Sequence, residues 1–177
     1  MSQIKVDSIV PRGGLPAGAN GGIIQIVQTY KKDSFSESVG AQNASSVCMS
    51  CNITPSSSSN KVLIRVVAHV SSSSATNLVG INLTKNGTEH TASMADSNGN
   101  RIRTAAVNGN ERNYYVSPLI VDFIDEPGTT SQVTYGIKIR TSSGGTQTLK
   151  LNRASSDDNN VNNLIPSSSI TCMEVSV

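Results

Sequence analysis

The chain of 177 residues has no tryptophan and only four Tyr and two Phe. Exposed aromatic faces are the usual stacking platform for sugar rings, so their scarcity weakens a glycan-receptor reading without removing it, because hydrogen-bonding loops also grip sugars. Charge is also scarce. Asp, Glu, Lys and Arg make up 15% of the residues, and the formal net charge is +2. No Lys/Arg cluster breaks this near-neutrality, so the electrostatic footprint that phosphate backbones require is missing and no nucleic-acid partner is expected. Long apolar runs are absent too. Nothing approaches the roughly 18 residues that cross a bilayer, so no membrane insertion is expected. The opening Met1-Ser2-Gln3-Ile4-Lys5-Val6-Asp7 lacks the apolar centre of a secretion signal, which predicts synthesis and retention in a cytosol, or departure inside something larger.

Cysteine is present in an odd number, at Cys48, Cys51 and Cys172, which argues against a disulfide framework. The Cys48-Met49-Ser50-Cys51 spacing matches half of a zinc site or a redox pair. It lies, however, in a stretch where Val47, Met49, Cys51 and Ile53 alternate with Cys48, Ser50 and Asn52. Residues three apart on a strand point to opposite faces, so Cys51 is expected in the core and Cys48 on the other side.

What the sequence does contain is Ser, Thr, Asn and Gly, interleaved with short runs of Val and Ile. That composition suits many short strands joined by tight turns. Strand patterns are expected at residues 23–30, 47–53, 61–70, 78–85, 88–92, 101–107, 114–124, 132–140, 146–152 and 169–177. Turn signals separate them: Thr54-Pro55 with the serines at 56–59, the serines at 71–74, Asn86-Gly87, Asn108-Gly109-Asn110, Asp125-Glu126-Pro127-Gly128 and Ser142-Ser143-Gly144-Gly145. Val62, Ile64, Val66, Ala68 and Val70 share one face of their strand while Leu63 and Val67 share the other, which marks a central strand. Tyr115, Leu119, Val121 and Phe123 are expected on one inward face, with Pro118 forcing an edge position or a bulge. Val133, Tyr135, Ile137 and Ile139 also alternate inward. The predicted fold is all-β, an antiparallel β-sandwich of jelly-roll-like character over residues 23–177.

Residues 1–22 differ. They hold Pro11, Pro16 and five glycines, with one short alternating piece in which Ile4, Val6 and Ile9 are the apolar positions. Such a segment cannot build a core. It either trails as a tail or orders as an extended docking arm against a partner, reaching about 70 Å at roughly 3.3 Å per residue.

Catalytic and metal-binding patterns are weak. His69 lies on a strand face beside Leu63 and Val67, as a hydrogen-bonded structural histidine does. His90, just after the Asn86-Gly87 hairpin, is expected at the surface. No Gly-x-Ser-x-Gly elbow holds a nucleophile, and the acidic residues lie mostly in turns rather than as a pair in a cleft. Asp96-Ser97-Asn98-Gly99-Asn100 opens like a calcium loop but has Arg101 where the loop needs glycine. Asp157-Asp158-Asn159-Asn160 clusters hard oxygens, as Asp/Asn turns commonly do for their own backbone. Four Asn-x-Ser/Thr sequons, at Asn43, Asn52, Asn82 and Asn86, are what chance produces in such a composition. No enzyme activity, metal or cofactor is expected.

Several stretches resemble small virion proteins of cyanophages and related phages. They are Ser2 to Ile9 with the following Pro/Gly segment, Gly21-Gly22-Ile23-Ile24-Gln25-Ile26-Val27-Gln28, the Ile53-Thr54-Pro55-Ser56 to Asn60-Lys61-Val62-Leu63-Ile64 stretch, Thr130 to Arg140, and Ser169-Ile170-Thr171-Cys172-Met173-Glu174-Val175. The resemblance runs in order along nearly the whole chain. It implies a non-enzymatic structural protein located in the virion, either a short tail-fibre or tail-attached adsorption protein or, alternatively, a capsid decoration or head-fibre protein. It also implies a homotrimer, contacts with other virion proteins through the arm, and a host cell-surface receptor met by distal loops.

Overall fold

The computed structural model describes residues 22–73, 77–109, 115–156, 159, 161 and 164–177. Among them are eleven strands: β1 (Ile23–Lys31), β2 (Phe35–Val39), β3 (Met49–Ile53), β4 (Lys61–Ser72), β5 (Leu78–Lys85), β6 (Thr88–Glu89), β7 (Ala106–Gly109), β8 (Ser117–Asp125), β9 (Val133–Thr141), β10 (Gln147–Leu151) and β11 (Ser168–Val175). Every ladder between them is antiparallel. One sheet runs β1-β11-β4-β10-β2, with β8 on the free side of β4. The other runs β3-β9-β5-β6, with β7 also paired to β5. The two sheets pack as the expected jelly-roll-like sandwich, the chain passing repeatedly from one to the other.

Period-2 alternation built the core. Val62, Ile64, Val66, Ala68 and Val70 of β4 face Ile81 and Leu83 of β5 and Val133, Tyr135, Ile137 and Ile139 of β9, all nearly inaccessible to water. β4 is central, as its two apolar faces predicted, because β11 and β10 share one of its sides and β8 takes the other. β8 is an edge strand among the described residues, and Pro118 near its start costs no ladder bond there. The Asn86-Gly87 turn has φ of 51° and 82°, the double positive geometry that closes a two-residue hairpin.

Several expectations need correction. The stretch 35–39 is a strand, although its alternation of Phe35, Glu37 and Val39 with serines is too short and polar to announce one. Ser71 and Ser72 end β4 rather than form a turn, and both are fully buried. The strand expected over 101–107 covers only Ala106–Gly109, so Asn108 and Gly109 are paired rather than turning. The return after the hairpin is a two-residue strand followed by a 3₁₀ turn at Thr91–Ser93. Tyr115 precedes β8 and is 48% exposed. Val47 precedes β3 and packs outside it. Cys48, expected on the opposite face from Cys51, is buried as well, its thiol donating to the Ile137 carbonyl at 3.4 Å. Burial pushes that thiol up to about 12. Cys51 on β3 and Cys172 on β11 meet across the sandwich, and their mutual hydrogen bond together with burial holds the Cys172 thiol well above its ordinary value.

Two glycines, Gly80 and Gly136, permit close packing over the second sheet, and a Cβ on Gly80 would lie 2.9 Å from the Ala106 carbonyl oxygen. A Cβ on Gly136 would lie 2.8 Å from Val47 Cγ1, 2.9 Å from Thr84 Oγ1 and 3.0 Å from the Met49 carbonyl oxygen. Gly136→Ala should therefore cost about 1–3 kcal/mol, the range for overpacking a tight site. Gly144→Ala, with nothing within 4 Å of its Cβ, should be close to neutral. Urea unfolding of the two variants side by side checks both expectations.

Candidate interaction surfaces

Three buried polar side chains, Glu174, Asp125 and Asn152, are interior fasteners. Glu174 on β11 is 1% exposed. Its Oε1 accepts from the Ser56 backbone N–H at 2.7 Å, the Ser56 hydroxyl at 2.7 Å and Asn60 Nδ2 at 2.6 Å. With its amide nitrogen turned inward, Gln25 donates to Oε2 at 3.2 Å. Burial pushes this carboxyl up, but the hydrogen bonds from Asn60 and Ser56 outweigh it and hold the group below its ordinary value. The Thr54–Lys61 stretch and the closing strand are thus two halves of one clamp.

Asp125, at the end of β8, is the second fastener. Its Oδ2 accepts from the Tyr135 hydroxyl at 2.5 Å and from Lys85 Nζ at 2.7 Å, and its Oδ1 lies 3.0 Å from His90 Nε2. The carboxylate joins the end of the first sheet to β5 and β9 of the second. Burial raises its pKa, but the hydrogen bonds from Lys85 and Tyr135 outweigh burial, so the net direction is down. His90 is therefore not a surface residue. Its side chain is 16% exposed and meets Phe123 edge-on, the ring centroids 5.1 Å apart. Its Nδ1, the atom that would face a nucleophile in a Ser-His-Asp arrangement, is buried and unbonded.

The third fastener is Asn152, buried with φ of 62°. Its Nδ2 donates to the carbonyls of Lys31 and Asp33, and its Oδ1 accepts from Ser168 Oγ at 2.5 Å. Ser168 Oγ in turn receives the His69 backbone N–H, while His69 Nδ1 lies 2.8 Å from the Ser167 carbonyl. The structural reading of His69 holds. Among the described residues no three His, Cys, Asp or Glu side chains gather as a metal site. Asn82, one of the four sequon asparagines, is fully buried, so a glycan cannot attach there in the folded protein.

Two surface features remain. One is a groove of about 430 Å³ at the β5/β9 end, where Leu78, Gly80, Ile102 and Val107 meet Thr104 and Arg140. Arg140 is already engaged there, by Glu89 at 3.2 Å and by the Gln42 carbonyl. The other is the outer face of the first sheet. Register places Ile26, Met173, Leu63 and Ile124 in one row across β1, β11, β4 and β8. Two residues along, Gln28, Thr171, Arg65 and Asp122 form a polar row, with Gln28 donating to Thr171 and Arg65 lying 3.7 Å from Asp122. A further two residues along come Tyr30, Ser169, Val67 and Ile120. Ile26, Tyr30, Ile120 and Ile124 are each more than half exposed. The sequence hinted at this face only through the second apolar set, Leu63 and Val67, on β4.

The docking-arm residues Ile4, Val6 and Ile9 lie outside the described residues, as do Tyr114, Asp157, Asp158 and Asn160.

No protein-family model matches the chain. No curated protein matches it either. Among solved structures, the chain is similar to one from the structure of infectious bursal disease virus Gx strain, with a TM-score of 0.41 and 13% identity, over 98% of this chain and 44% of that one. A second, from the infectious bursal disease virus VP2 subviral particle, gives a TM-score of 0.41 and 12% identity, over 86% of this chain and 37% of that one. The chain spans less than half the length of either.

Proposed function

We propose that this protein is a structural component of a tailed-bacteriophage particle, a short tail-fibre or tail-attached adsorption protein. The N-terminal arm, with Ile4, Val6 and Ile9, anchors it to other virion proteins, and loops at the far end of the sandwich are available to a host surface receptor. The observation that carries this reading is how the described residues spend their polar chemistry. Glu174, Asp125 and Asn152 are buried and consumed in tying strands and loops together. The outer face of the first sheet exposes Ile26, Tyr30, Ile120 and Ile124, the kind of surface an assembly protein covers. The stretches that carry the phage resemblance, 53–64 and 169–175, supply both halves of the Glu174 clamp, so those motifs belong to the fold rather than to a catalytic site.

Gold-labelled antibody on intact particles tests the proposal. Label on the tail is the expected result. Label over the head would transfer the protein to capsid decoration or head fibres, and absence from purified particles would overturn a virion role. The family resemblance also implies a homotrimer, which sedimentation of the full-length chain tests.

A further inference from the structure

We infer that the outer face of the first sheet is a self-association surface that closes on the same face of a second copy. This goes beyond the virion reading and does not depend on it.

The three rows of the face run apolar, polar and mostly apolar, and the Lys61–Glu126 ion pair lies beyond the first of them. Place a two-fold axis in the contact plane, parallel to the strands and midway between β11 and β4. Each cross-strand row then lies on itself with left and right exchanged. Ile26 meets Ile124 of the second copy, and Met173 meets its Leu63. In the polar row, the Gln28 amide comes over the carboxylate of Asp122 and Arg65 over the hydroxyl of Thr171. No like charges face each other, and every polar side chain of the row finds an acceptor or a donor. Turning the axis by a right angle would instead oppose Arg65 to Arg65 and Asp122 to Asp122, which repel. The charge pattern therefore selects one of the two symmetric pairings.

The area is sufficient. Four strands at about 4.8 Å spacing and eight residues at about 3.3 Å each span roughly 500 Å² of sheet. Two such faces closing together remove on the order of 1,000 Å², the lower bound for a specific contact. Aligned sheet-on-sheet packing is the arrangement the protein already uses in its own core. The open flank of the face also favours a partner. β1 has a single ladder partner, β11, among the described residues, and the irregularity between Ile23 and Gln25 lies in that ladder rather than on the free edge. Charge at that edge comes only with Lys31 and Lys32, so the edge lacks most of the devices that keep strands solitary.

The geometry gives a direct test in the full-length chain. Gln28 and Asp122 lie three strand spacings apart within one copy, about 14 Å, which no disulfide bridges. Across the proposed contact they are opposite. The double variant Gln28→Cys with Asp122→Cys, oxidised in solution, should run on a non-reducing gel as one covalent species of twice the 18.5 kDa chain mass. Each single variant should stay at the mass of one chain. The native cysteines are buried and do not interfere. Wild-type protein should sediment as a dimer, and Ile26→Lys should return it to a monomer with an unchanged circular dichroism spectrum. A ladder or a three-membered covalent species would restore the homotrimer and overturn face-to-face pairing. Wild-type protein that sediments as a monomer at about 100 μM, which requires no variant to fold, would overturn it equally.

Discussion

Glu174→Ala should lower the free energy of unfolding by about 3–5 kcal/mol, a large part of the 5–15 kcal/mol that holds a typical domain together. The cause is not the loss of a favourable contact alone. The Ser56 amide, the Ser56 hydroxyl and the Asn60 amide would keep their buried positions and lose their acceptor. Each stranded donor costs about 1–3 kcal/mol, reduced by whatever water can enter the gap. Glu174→Gln keeps the volume and one acceptor oxygen, so its cost should be smaller. Urea unfolding at neutral pH measures both. The same site gives a pH dependence. The folded-state pKa is held below the ordinary glutamate value of 4.5. Its contribution is therefore complete above 4.5 and is lost as pH falls through the folded value. In the Gln variant that part of the acid-side slope should disappear. An unchanged slope would mean that the carboxylate is not the group titrating there.

The second large effect is expected at Asp125. Asp125→Ala removes the common acceptor of Tyr135, Lys85 and His90 and should cost about 3–5 kcal/mol, because it leaves an ammonium and a buried hydroxyl without their partner. Tyr135→Phe removes only one donor and keeps the ring in the core, so about 1–2 kcal/mol is expected. The double variant should cost less than the sum of the two singles, since the aspartate and the hydroxyl satisfy each other. Additive costs would show that the 2.5 Å bond contributes nothing of its own. The direction with pH is the same as for Glu174. Asp125 is held below its ordinary 3.8, so its contribution is intact above that value and is lost as pH falls further. Acid unfolding of the wild type should accordingly steepen below about pH 4.5, with Glu174 and Asp125 as the two principal contributors.

Elements were legible where apolar residues alternate over a long enough run. β4 and β9 follow directly from Val62 to Val70 and from Val133 to Ile139, since a period of two on a half-buried surface has one structural solution. β2 was not legible. The five residues Phe35-Ser36-Glu37-Ser38-Val39 gain their strand conformation from pairing with β10, in which Phe35 lies opposite Leu151, 116 residues further along the chain. Ser71 and Ser72 read as a turn by composition and are strand by position, because the β10 ladder supplies their backbone bonds and the sandwich buries them.

The candidate surfaces divide along the same line. By itself the sequence determined the fold class, the central place of β4, the hairpin at Asn86-Gly87 and the structural character of His69, because each of these depends on residues close together in the chain or on a repeated period. Only the tertiary structure decided that His90 is withdrawn beside Asp125, that the serine-rich stretch after Pro55 clasps Glu174, and that Ile26, Met173, Leu63 and Ile124 lie in one row on the outer face of the first sheet. Those residues come from segments separated by tens of residues or more, and nothing local records which strand lies beside which. Register between distant strands is set by the packing of the whole sandwich, and a shift of one residue in any ladder would turn the apolar row inward and the core outward.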